Sequence, residues 1–88
     1  MTEAISLNQT EIGQTLLVER LENESAMRRR LEDLGLTVGT RVRCLMASPL
    51  GDPRAYAIRG AVIALRQRDA AYVFGRPDDK DGGESLGT

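Results

Sequence analysis

Residues 27–48 read MRRRLEDLGLTVGTRVRCLMAS. Met27, Leu31 and Leu34 recur at spacings of four and three, the apolar stripe of a helix two or three turns long. Gly35 follows as its natural C-cap, since a residue without Cβ enters the left-handed region freely. Leu36 then folds back over the last turn, and Val38-Gly39 turns the chain again. From Thr40 to Ser48, Val42, Cys44 and Met46 alternate with Arg41, Arg43 and Leu45, which predicts a strand with the first set facing a core. A helix this short has no independent stability and must dock onto a sheet.

The flanks supply that sheet. Gln14 to Leu21 (QTLLVERL) follows Gly13 and reads as a strand, with helix the competing assignment. Before it, Ser6-Leu7 pins the N-terminal segment across the body. Glu22 to Ser25 provides the helix start: either Asn23 or Ser25 accepts from the first free amides, and Glu22 and Glu24 favour its positive end. On the helix surface, Arg28 faces Glu32 and Arg29 faces Asp33, pairs worth a few tenths of a kcal/mol each. Residues 48–53 (SPLGDP) form a turn-rich loop. Tyr56 and Ile58 alternate with Ala55, Ala57 and Arg59 in the next strand, and Arg59-Gly60 is a tight connection or a bulge. Ala61 to Leu65 (AVIAL) is a strand, either half-buried or covered on both faces. Gln67 to Ala70 makes a single helical turn, and Ala71 to Phe74 closes with the last strand.

From Arg76 the chain reads RPDDKDGGESLGT, without apolar periodicity, and is expected to be disordered. The expected organisation is therefore one barrel domain over 1–76 and an acidic tail over 77–88. The fold class is all-β with a short helix: a small SH3-like barrel of about five strands, with the helix between the first and second. An oligonucleotide-type five-stranded barrel is the nearest rival, but it wants longer strands and a later helix.

Composition limits the function. The 88 residues carry 12 basic and 13 acidic side chains, and such a chain buries only about 60% of its extended surface. Residues 1–77 hold 11 arginines and nine acids, a net of +2, too little for a domain that depends on phosphate contacts. Histidine is absent and Cys44 is the single cysteine. That leaves no neutral-pH base short of a strongly shifted carboxylate, and no intrachain disulfide. No catalytic constellation, metal site or cofactor motif is visible; GDPRAYAIRG lacks the lysine and helix of a phosphate-binding loop. Neither a leader nor a membrane span is evident, so the expected compartment is the cytoplasm.

Candidate contact residues are Leu50, Gly51 and Asp52 in the SPLGDP loop, because binding residues concentrate on loops above a rigid barrel. The alternative is a sharp hairpin whose leucine folds onto the core. Arg28 and Arg29 could grip acids or merely cover the core with their stems, and Arg30 sits nearer the core. Leu36 and Val38 could extend an apolar patch or serve as internal staples. Arg59 and Arg66 could reach a partner or bond carbonyls at the barrel ends. Gly35, Gly39, Gly60, Leu31, Leu34 and Cys44 are assigned to structure, Cys44 as a buried inert thiol.

The ordered series RRRLEDLGLTVGTRVRCL, then SPLGDPRAYAIRGAVIALRQRDAAYV, resembles the FeoA family over residues 5 to 75. Gly13, Leu31, Leu34-Gly35-Leu36, Gly39, Pro49 to Pro53, Arg59-Gly60, Leu65-Arg66 and Ala70-Ala71 carry the resemblance. Ala61 stands where members often have a larger residue, and the acidic tail has no match. The resemblance implies an SH3-like accessory protein of ferrous iron uptake that contacts the cytoplasmic part of the GTPase-permease FeoB. It implies neither catalysis nor iron binding by this chain, and it places the chain at the inner face of the membrane only through its partner. The same domain occurs fused to metal-dependent repressors, which keeps a regulatory or nucleic-acid-binding module, unrelated to transport, as the alternative.

Overall fold

The computed structural model describes residues 3–78. These form six strands, β1 (Ile5–Ser6), β2 (Thr15–Leu21), β3 (Arg41–Ala47), β4 (Arg54–Ile58), β5 (Ala61–Leu65) and β6 (Val73–Pro77). A 3₁₀ turn (Leu7–Gln9) follows β1, α1 (Ser25–Asp33) joins β2 to β3, and α2 (Gln67–Ala70) joins β5 to β6. The strands make one antiparallel sheet in the order β1-β6-β2-β3-β4-β5. It curls around a core of Leu7, Leu16, Val18, Leu21, Leu31, Leu36, Val42, Tyr56, Ile58 and Val73, giving the expected SH3-like barrel.

The helix ends as its sequence dictates. Gly35 has φ +100°, the Gly35 amide donates to the Glu32 carbonyl at 3.0 Å, and the Leu36 amide donates to the Leu31 carbonyl at 2.9 Å. This pair of bonds, with Leu31 and Leu36 both buried, is a Schellman motif with its apolar staple. The helix start differs from expectation. Glu24, rather than Asn23 or Ser25, caps it, its carboxylate accepting from the amides of Ala26 at 2.9 Å and Met27 at 3.2 Å. Asn23 is drawn away because its Nδ2 donates to the carbonyl of Asp69 in α2, at 2.9 Å.

Two bulges account for the departures in side-chain direction. Between Cys44 and Met46 the β3–β4 register shifts, so Val42 and Cys44 point inward while Met46, expected inside, is 61% exposed. One extra residue in a strand flips every later side chain. A second shift between Val18 and Arg20 lets Leu21 return to the core with Arg20 outside, over the Phe74 ring at 4.4 Å from its centroid. Phe74 is half-buried beneath that guanidinium. Leu34, placed by periodicity on the core stripe, is 50% exposed, because the helix has already reached its cap there.

The sheet also exceeds the expected five strands. Ile5 and Ser6 pair with Gly75 and Phe74, which is how the N-terminal segment crosses the body. At the other end β6 runs to Pro77, and Asp78 donates its amide to the Thr15 carbonyl at 2.8 Å and its carboxylate accepts from Arg41 at 2.6 Å. Pro77 and Asp78, placed in the expected tail over 77–88, therefore pack with the barrel. The rest of the predicted tail, 79–88, lies outside the described residues.

Candidate functional site

The loop between β3 and β4 is shaped from within. The Gly51 amide donates to the Ser48 carbonyl at 2.7 Å with φ +87° at Gly51, and the Ser48 amide donates to the Pro53 carbonyl at 3.1 Å. The Asp52–Pro53 peptide is cis. Asp52 is committed to structure: its Oδ1 accepts from the Gln67 amide at 2.9 Å, while Gln67 Nε2 donates to the Gly51 carbonyl at 2.8 Å. The loop is thus tied to the start of α2. Leu50 is left at the tip, 95% exposed, on a frame that holds it out rather than folding it down.

The same end of the barrel carries an apolar sheet face. Across β3, β4 and β5 the register aligns Met46 with Ala55 and Ala64, and Arg43 with Ala57 and Val62. Met46 and Val62 (67% exposed) stand over a floor of alanines. Of the two readings of AVIAL, the half-buried one holds and the one covered on both faces does not: β5 is an edge strand with Ile63 and Leu65 turned inward and Val62 outward.

The remaining candidates separate. Arg28 pairs with Glu32, Nε to carboxylate at 3.2 Å. Arg29 and Asp33 form no such pair among the described residues, and both are exposed. Arg30, expected nearer the core, is exposed and lines a groove between α1 and β5. Leu36 is completely buried; as the helix staple it has no surface to offer, which removes it from the contact candidates. Val38 is exposed. Arg59 sits at positive φ (50°) beside Gly60 (83°), the backbone of a two-residue hairpin turn. Its stem lies against Gly35, with Cδ 3.2 Å from where a Cβ there would sit, and its Nη2 is 3.4 Å from Thr40 Oγ1. Arg59 therefore braces the helix end. The Arg66 side chain is exposed and meets no carbonyl partner among the described residues. Cys44 is fully buried.

Sequence reasoning missed Arg54. Its Nη1 donates to the Thr10 carbonyl at 2.6 Å, lashing the N-terminal segment to β4. Nearby, the Tyr56 phenol is pushed above its usual value, by burial first and by the adjacent Cys44 second, with Arg54 opposing. Met46, Val62 and Ala64 were not singled out either; the signal was available in AVIAL, five uncharged residues immediately after a two-residue turn. Among the described residues no three histidine, cysteine, aspartate or glutamate side chains converge as a metal site. No helix among the described residues is long and apolar enough to cross a membrane.

The fold and its surface define a small SH3-like barrel presenting one apolar loop tip, one alanine-floored sheet face and scattered arginines. The chain belongs to the FeoA domain family, whose model matches residues 5–77. The Fe(2+) transport protein A/Fe(2+) transporter FeoB fusion protein of Porphyromonas gingivalis is 28% identical over 67 residues, covering 76% of this chain and 8% of that protein. This chain thus spans a small fraction of that relative. The FeoA-like protein from Clostridium acetobutylicum is 35% identical, with TM-score 0.76 and coverage of 84% of this chain and 86% of that one. FeoA of Stenotrophomonas maltophilia, solved with zinc and described as a procaryotic SH3 domain protein, is 26% identical, with TM-score 0.71 over 86% of this chain and 92% of that one. The family is associated with ferrous iron transport.

Proposed function

We propose that this chain is an accessory protein of ferrous iron uptake that binds the cytoplasmic part of a FeoB-type transporter and performs no catalysis itself. The observation that carries the reading is the match to a relative in which the FeoA and FeoB parts share one polypeptide, since fused domains are ones that work in contact. The geometry supports it at Leu50, an apolar side chain held clear of the barrel by the Gly51, Asp52 and Gln67 bonds. Arg28, Arg29 and Arg59 give the same molecule exposed guanidinium groups for acidic partner residues.

A body charge of +2 and aromatic side chains that are buried (Tyr56), capped by arginine (Phe74) or solitary at the surface (Tyr72) make a poor stacking platform for nucleic acid. Ferrous iron uptake in cells lacking the chain, restored with the natural protein or with Leu50→Glu, tests the proposal. Restoration by the natural protein and failure of the folded variant is the expected result. Uptake that is undiminished without the chain overturns it.

A further inference from the structure

We infer that the outer edge of β5, together with the groove between β5 and α1, docks an extended acidic segment of a partner protein as an added strand. The inference does not depend on which protein is the partner of the Leu50 loop.

β5 terminates the sheet. The two-residue turn Arg59-Gly60 makes Ile58 and Ala61 the closing pair, which in such hairpins exchanges both hydrogen bonds. Alternation then turns the N–H and C=O groups of Ile63 and Leu65 toward β4 and those of Val62 and Ala64 outward. The strand Ala61–Leu65 contains no charge and no proline, so it lacks the usual devices that keep an edge from pairing. The opposite edge, β1, is two residues long and offers little.

What lies beside that edge selects the occupant. A groove of about 270 Å³ runs between α1 and β5, with Leu34 and Ala64 among its walls and Arg30, Arg66 and Arg68 along its rim. Asp69 is the single acid there. None of the three arginines is paired with an acid among the described residues. A strand added at Val62 and Ala64 would lay one set of alternate side chains over the alanine floor and turn the other set into the groove, beside Leu34 and the guanidinium groups. Carboxylates fit there, with main-chain bonds supplying affinity and the arginines supplying selectivity.

A second copy of this chain fits worse. Antiparallel pairing of two β5 strands about Ile63 sets Gly60 of one copy opposite Arg66 of the other, which crowds Arg59 against the neighbour's Arg66 at both ends. Like charges placed across a ladder are destabilising.

The test uses the full chain and a fluorescein-labelled peptide alternating valine and glutamate, with a valine–lysine peptide as control. Anisotropy should report binding of the glutamate peptide alone, weakening with salt, and amide exchange should slow at Val62 and Ala64. Ala64→Pro removes one outward donor without touching a β4 bond, so affinity should fall about tenfold. If that variant fails to fold, the exposed double change Arg66→Glu, Arg68→Glu provides the same readout. Equal binding of both peptides, binding of neither, or protection centred elsewhere overturns the inference. Concentration-dependent dimerisation that protects Val62 and Ala64 overturns the choice of occupant. Iron uptake undiminished in cells lacking the chain, with this peptide response intact, refutes only the transporter reading; uptake that depends on the chain, with no peptide response, refutes only the edge.

Discussion

Replacing Gly75 with alanine strikes the seam on which the whole barrel closes. Gly75 lies in β6 between Ile5 of β1 and Val18 of β2. A Cβ there would stand 2.1 Å from the Leu17 carbonyl oxygen and 2.8 Å from its carbon. Real contacts of this kind do not fall below 3.0 Å, so β2 and β6 must part by about 0.9 Å. Hydrogen bonds of ordinary length, about 2.9 Å, would stretch to roughly 3.8 Å and fail. Two such bonds at about 1 kcal/mol each, with about 1–3 kcal/mol of overpacking strain, give a loss of about 3–5 kcal/mol. Folded stabilities of about 0.05–0.15 kcal/mol per residue leave a chain of this size on the order of 4–13 kcal/mol, so the variant loses a large part of its stability. Urea unfolding followed by circular dichroism should show a midpoint lowered by about 3–5 M, taking a slope of about 1 kcal/mol/M, or no folded baseline at all. Gly39→Ala is the control: its φ is +91° but nothing lies within 4 Å, so it should cost only about 1 kcal/mol. A Gly75→Ala protein no less stable than Gly39→Ala refutes the reasoning.

Other outcomes follow from the same structure. Leu50→Glu should leave thermal stability within about 0.5 kcal/mol, since an exposed tip loses no packing, while abolishing transporter recovery; a large fall in melting temperature would show that the leucine is internal. Arg54→Ala removes the charged donor to the Thr10 carbonyl and should cost about 1.5–3 kcal/mol by chemical denaturation, with faster amide exchange in the N-terminal segment. Tyr56 has its folded pKa raised above the ordinary phenol value, chiefly by burial. Its contribution to stability is therefore fully present below pH about 10 and is lost as pH rises through the folded value. Tyr56→Phe should flatten that alkaline loss; among the described residues its hydroxyl meets no partner in good hydrogen-bond geometry, the nearby Arg54 acting on it mainly through charge, so stability at neutral pH should change by less than about 1 kcal/mol. An alkaline stability profile identical in the phenylalanine variant contradicts the assignment.

Much of the fold was legible because local signals agreed. LGLTVGT specified a stopped helix and a turn, Tyr56 and Ile58 alternated as core residues should, and Arg59-Gly60 marked a hairpin. Two kinds of information were not local. A bulge leaves no reliable mark in LMAS, so Met46 was expected inside. Pairing of Ile5-Ser6 with Phe74-Gly75 joins segments at opposite ends of the barrel sequence, and neither end is periodic enough to announce it. Gly75 itself was a readable sign, because glycine within a strand often marks close backbone approach. Among the candidate contacts, Leu50 was placed by its flanking prolines and glycine, whereas Leu36 was ambiguous until the Schellman bonds showed it to be the staple. Arg54 could not be told from the other arginines by sequence, because its partner is a carbonyl 44 residues away.

Affinity capture of the intact chain from detergent-solubilised membranes and from the soluble fraction of cells tests the central claim most directly. The account predicts that the FeoB-type transporter is recovered with the natural chain and lost with Leu50→Glu, while a folded barrel is retained in both. Recovery of nucleic acid or soluble regulators alone, with no transporter in either fraction, would contradict it.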